Sequence, residues 1–235
     1  MSRSFRNGFR LLKLSQMDFE RAWWDMANLF RAPRRVYRSI TLRKQNINRY
    51  GREDFSFIVL FSCMIVISAL LWALFYMNTP KGYVTTITFM LFVDFGAVGV
   101  IMATMYYFIA KRFLMKSNDT ILSSTDYQLE WNYCFDVHCN SFFPSFVLLY
   151  VIQLFLLPVI TRDNFISLFM GNTLYLVALC YYSYLTFIGY QILPFLKNTH
   201  ALLLPIPMFF IMWALSLLGF NVPKHVVDVY FGKSA

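Results

Sequence analysis

Five apolar runs, each long enough to cross a bilayer, follow a basic segment of 54 residues. That order leaves few folds open. An apolar helix crosses the hydrocarbon core with about 20 residues at about 1.5 Å rise each. Residues 55–77 meet that requirement without a charge, and 83–110 carry a single one, Asp94. Runs at 142–160, 165–190 and 200–220 complete the set, with Pro205 and Pro207 predicting an irregular first turn in the last. The expected fold is therefore all-α: a membrane domain over 55–220 with five transmembrane helices and a basic amphipathic N-terminal tail over 1–54. Connections at 78–82, 161–164 and 191–199 are too short to hold folded domains, so only the 111–141 loop has room for structure. Residues 221–235 read as a C-terminal tail.

Orientation follows from charge. Thirteen of the 21 Lys/Arg residues precede the first run, and with five spans one side holds 17 of them against 4 on the other. Positive residues flanking spans stay cytosolic, which places the tail and the 111–141 loop in the cytosol and the C-terminus in the lumen. The first run begins at Phe55, so it is expected to act as both targeting signal and anchor. On the same topology the Asn118-Asp119-Thr120 sequon is expected to stay unmodified.

Within the tail, Ser15-Gln16-Met17-Asp18 has the form of a helix start, and an amphipathic helix is expected over about 15–32. Phe19, Trp23, Met26 and Phe30 recur at steps that share one face, while Asp18, Arg21, Asp25 and Asn28 take much of the rest. Trp23, Trp24 and Phe30 suit a headgroup boundary, and Arg34, Arg35 and Arg38, followed by Arg43, Lys44 and Arg49, suit anionic lipid. Three readings stay open: topology and packing, docking on lipid, and binding of RNA, for which no recognised module is present.

Two polar groups lie where they are costly. Asp94, mid-span, is expected to face the bundle beside the small residues Gly96, Gly99 and Ala103, with Asn172 and Thr173 of the fourth span as its partners. That makes an interhelical hydrogen bond one reading and a proton or solute path another. Ahead of the third span, Glu130, Cys134 and His138 share one helical face, with Trp131, Asp136 and Asn140 nearby. The cluster reads as a polar collar or a docking surface for a cytosolic partner. A zinc set from Glu130, Cys134 and His138 is the remaining alternative, without a recognised metal motif. No H-E-x-x-H, G-x-S-x-G or P-loop occurs, so no enzyme activity and no cofactor is expected.

Gln16-Met17-Asp18-Phe19-Glu20, Arg35-Val36-Tyr37-Arg38, Glu130-Trp131, Phe135-Asp136-Val137-His138, Gly171-Asn172-Thr173-Leu174 and Leu193-Pro194-Phe195-Leu196-Lys197-Asn198-Thr199 occur in this order along the chain. In these motifs it resembles the Unc-fifty family of Golgi membrane proteins. The resemblance implies a five-span protein of the Golgi and related endomembranes, including the endoplasmic reticulum and inner nuclear membrane. It implies a role in vesicle traffic and receptor delivery to the cell surface, with Arf exchange factors as partners, and it supplies no catalytic residues. Trp23, Trp24, Arg34, Arg35, Arg38, Glu130, Trp131, Asp136 and His138 are then the expected partner contacts. A transporter using Asp94 is the alternative.

Overall fold

The computed structural model describes residues 17–47, 50–52, 55–115 and 129–232, with the backbone alone for 43–47. Ser15, Arg49, the side chains of Arg43 and Lys44, and the Asn118 sequon lie outside the described residues. About the described part the expectation of an all-α fold holds, and five helices are long and apolar enough to span a membrane.

Two helices precede the spans. α1 (Phe19–Arg31) is capped by Asp18, whose carboxylate accepts from the Arg21 backbone N–H at 2.9 Å. α2 (Pro33–Ile47) begins one residue beyond its end, with Pro33 at the first position, where a missing N–H costs nothing. The spans are α3 (Ser56–Tyr76), α4 (Pro80–Leu114), α5 (Trp131–Ile160), α6 (Phe165–Gln191) and the last, Thr199–Ser216, whose helix α7 (Pro205–Ser216) follows a 3-10 turn over Thr199–Leu203. That turn is the irregularity expected from Pro205 and Pro207. α8 (Val222–Phe231) closes the described chain.

Local sequence sets these boundaries. Thr79 caps α4 ahead of Pro80, Asn164 caps α6 through the Ser167 N–H at 2.7 Å, and Asn221 caps α8 through the Lys224 N–H at 3.0 Å. α3 is apolar all round, as a helix bathed in lipid must be. α4 and α5 both contain wider π-helical stretches, at Phe89–Ala97 and Val147–Ile152.

Two differences from the expected organisation matter. The third span begins at Trp131, not residue 142, so the polar cluster forms the first turns of α5 and is not loop. At 35 and 30 residues, α4 and α5 measure about 52 and 45 Å, longer than a hydrocarbon core of about 30 Å. The first turns of α5 stand beside α1. The second difference is at the other end. Residues 222–231 are no free tail: α8 folds back and packs on α3, α4 and α6.

Gly99 and Ala103 provide the close approach expected of the small-residue stripe, but to α5. A Cβ on Gly99 would lie 3.1 Å from Phe135 and 3.2 Å from His138, whereas one on Gly96 meets only its own helix. At Gly189 the requirement is stricter, since a Cβ would come within 2.8 Å of Val137.

Candidate functional site

The N-terminal helices are joined to the spans through Arg52. Its guanidinium donates to Asn140 Oδ1 at 2.5 Å, pairs with Asp25 at 3.7 Å and lies 3.9 Å above the Phe57 ring. Its backbone N–H donates to Asp136 Oδ2 at 2.6 Å. Asp25, Asp136 and Asn140 are all buried, so α1, the chain ahead of α3 and the start of α5 meet at one charged knot. A buried cation with two carboxylates and an amide around it fits the rule that interior charges are paired. The Tyr181 hydroxyl adds a second tie, donating to the Leu29 carbonyl at 2.7 Å. Burial raises the Tyr37 hydroxyl above its ordinary range, so that phenol remains neutral beside the knot.

In this docking only Met26 of the expected apolar face turns inward. The residues turned inward are Ala22, Asp25, Met26 and Leu29. Phe19 and Phe30 stay partly exposed, Trp23 is 62% exposed and Trp24 45%. The reason is chemical: Arg52 draws Asp25 inward, and the small Ala22 lets the helix approach. Arg34, Arg35 and Arg38 are exposed on α2.

The expected partner contacts therefore divide. Trp23, Trp24, Arg34, Arg35 and Arg38 are all exposed on the two N-terminal helices. Trp131 is half-buried, stacked on Phe135 at 5.7 Å and donating through Nε1 to Thr104 at 3.1 Å. Glu130 stands at the head of α5, partly exposed. Asp136 and His138 are inside: the first belongs to the Arg52 knot, and the second shares a 2.9 Å hydrogen bond with the Tyr182 hydroxyl. Among the described residues Glu130, Cys134 and His138 form no metal-binding group.

Asp94 also has other partners than expected. The Tyr150 hydroxyl donates to Asp94 Oδ2 at 2.8 Å, and the Tyr230 hydroxyl of α8 donates to the same oxygen. Asn172 instead ties the end of the fifth span to α8. Its amide donates to Ser216 Oγ and the Phe220 carbonyl, each at 2.8 Å, and its oxygen accepts from the Val222 N–H at 2.9 Å. Thr173 accepts from Trp213 Nε1 at 3.2 Å. The physical reason lies in Gly171, whose missing side chain admits Pro223; a Cβ there would sit 2.7 Å from it. With Pro223 seated, α8 runs inward and delivers Tyr230 to Asp94 and Phe231 to Tyr76, rings stacked at 4.7 Å.

The residues that sequence reasoning missed are Arg52 and Tyr230. Arg52 was one charge among many in a basic tail. Tyr230 could have been found from Val222, Val226, Val227 and Tyr230, which recur at helical spacing in a segment read as a tail.

The chain matches the UNC-50 family over residues 8–231. It is 43% identical to the protein unc-50 homolog of Homo sapiens, covering 94% of this chain and 84% of that one. Identity is 41% with the Danio rerio homolog (94% and 85% covered) and 37% with that of Dictyostelium discoideum (95% and 85%). No solved structure matches. A multi-pass helical membrane protein that aligns with these relatives along nearly all its length, the chain belongs to the UNC-50 family.

Proposed function

We propose that this protein is a non-enzymatic scaffold of Golgi membranes that acts in vesicle-mediated protein transport. Its N-terminal side faces the cytosol and recruits an Arf exchange factor or comparable coat regulator, in support of receptor delivery to the cell surface. The observation that carries the reading is the Trp23–Trp24 ridge with Arg34, Arg35 and Arg38, exposed on helices that the Arg52 knot holds against the bundle. Exposed tryptophans on a fixed helix are the composition of an interface anchor, and nearby arginines raise the rate of encounter. The same arginines suit anionic headgroups, so the surface works at the bilayer face.

Affinity capture of the exchange factor from cells tests it. Trp23→Ala with Trp24→Ala is expected to abolish capture while the protein stays in the Golgi. Neutralising the three arginines is expected to weaken capture in a salt-dependent way. Undiminished capture by the tryptophan variant would refute the reading. A glycosylation acceptor on a C-terminal extension is expected to be modified and one near Arg6 is not; the reverse pattern would overturn the orientation.

A further inference from the structure

A cavity of about 110 Å³ lies within the bundle beside Asp94, between α3, α4, α5, α6 and α8. We propose that it is a binding site for a small organic ammonium group. Three observations carry this, none of which depends on the scaffold reading.

The wall is aromatic. Trp72, Tyr150, Tyr175, Tyr230 and Phe231 line it, and ring faces attract cations, with Trp and Tyr the strongest. Two of these rings are enriched further, because Tyr150 and Tyr230 both donate their hydroxyls to the Asp94 carboxylate. A phenol polarised by an anion offers a more negative ring to whatever lies over it.

The site is short of positive charge. No lysine, arginine or histidine is among the residues that line it. Gln153 lines it too, 2% exposed, and its Oε1 has no hydrogen-bond partner. A buried acceptor left unpaired costs free energy, which an N–H donor in the cavity would recover. An anion would be repelled by Asp94, and a purely apolar occupant would leave Gln153 unpaired.

Size and access agree. The volume equals about three to four waters at liquid density, which suits a methylated ammonium and excludes a large solute. A crevice lined by Thr79, Lys81, Thr85, Phe89, Tyr230 and Phe231 runs from the α3–α4 connection to the same two C-terminal rings. It provides an approach from the side opposite the N-terminal helices. The ammonium can come from a free amine or from the headgroup of a lipid.

The test uses the full chain purified in a maltoside detergent, with Trp72 as reporter. Methylammonium and tetramethylammonium chloride, against sodium chloride at equal ionic strength, are expected to change tryptophan fluorescence saturably, and Trp72→Phe to remove the change. Asp94→Asn is expected to weaken both ions about tenfold. Gln153→Leu is expected to weaken methylammonium alone, because tetramethylammonium has no N–H to give. Where a variant fails to fold, the unmodified protein still decides: tetramethylammonium must outcompete the neutral tert-butanol, which is of similar shape. Equal responses to the two, or no response above sodium chloride, would overturn the site. Nanodiscs assign the source. Loss of the tetramethylammonium response in phosphatidylcholine but not phosphatidylglycerol discs identifies a lipid headgroup, and its survival in both identifies a free amine.

Discussion

The two ends of the membrane domain solve one problem with different chemistry. Each must hold a helix that does not span the bilayer against helices that do. At the N-terminal end α1 is held by charge, with Arg52 between Asp25, Asp136 and Asn140. At the other end α8 is held inside the bundle by uncharged groups, Pro223 against Gly171, the amide of Asn172 and two phenols on the Asp94 carboxylate, with one exposed ion pair, Lys224 to Asp163 at 2.9 Å, at its start. The knot sits at the first turns of α5, where the buried ions compensate one another. Among the described residues no cationic side chain pairs with Asp94, and phenols stabilise the carboxylate without adding charge.

Breaking the charged end is expected to have the largest effect. Arg52→Met would remove the guanidinium that pairs with buried Asp25 and donates to buried Asn140, costing about 3–5 kcal/mol, while the backbone N–H that holds Asp136 remains. Thermal unfolding in detergent measures it, and adding Asp25→Asn is expected to restore much of the loss. A variant as stable as the unmodified protein would show that the knot is not what holds α1.

The neutral end is expected to yield less. Gly171→Val puts a side chain where Pro223 packs, and overpacking of this kind costs about 1–3 kcal/mol. Proteolysis of the C-terminal segment reads the undocking of α8; unchanged protection would mean Pro223 moves aside. Asp94→Leu strands two phenol hydroxyls at about 1–2 kcal/mol, while Asp94→Asn, which still offers an oxygen, is expected to cost well under half of that. Should both destabilise equally, the charge itself, and not its capacity to accept, supports the fold.

Smallest of all in stability is Trp23→Ala with Trp24→Ala, expected within about 0.5 kcal/mol because both side chains are largely outside. A larger loss would make the ridge a packing element and remove it as the contrast to the Arg52 knot.

What could be read in the sequence follows from the range of the forces involved. The spans were legible because apolar length is local: 55–77 against Ser56–Tyr76, and 165–190 against Phe165–Gln191. The start of α5 was not, because Asp136 and Asn140 are polar enough to resemble a loop until α1 and Arg52 cover them. The ridge of α1 was found, but its inner face was misjudged. Asp25 looked solvent-facing by periodicity, and the residue that draws it inward lies beyond α2. Asp94 was recognised as needing partners, and the ones it takes, Tyr150 and Tyr230, are 56 and 136 positions away. No periodic pattern carries information over such separations.

The pairing of Asp94 with Tyr230 also orders the biogenesis of the protein in time. With 136 positions between them, a ribosome working at about 5–20 residues per second makes the tyrosine on the order of ten seconds after the carboxylate. Throughout that interval the second span resides in the translocation machinery or the bilayer with one of its two phenol donors not yet synthesised. A chain that stops short of residue 230 never leaves that condition. It carries a marked, half-satisfied acid inside the membrane, which is the kind of feature that retention and degradation systems can distinguish from a finished molecule.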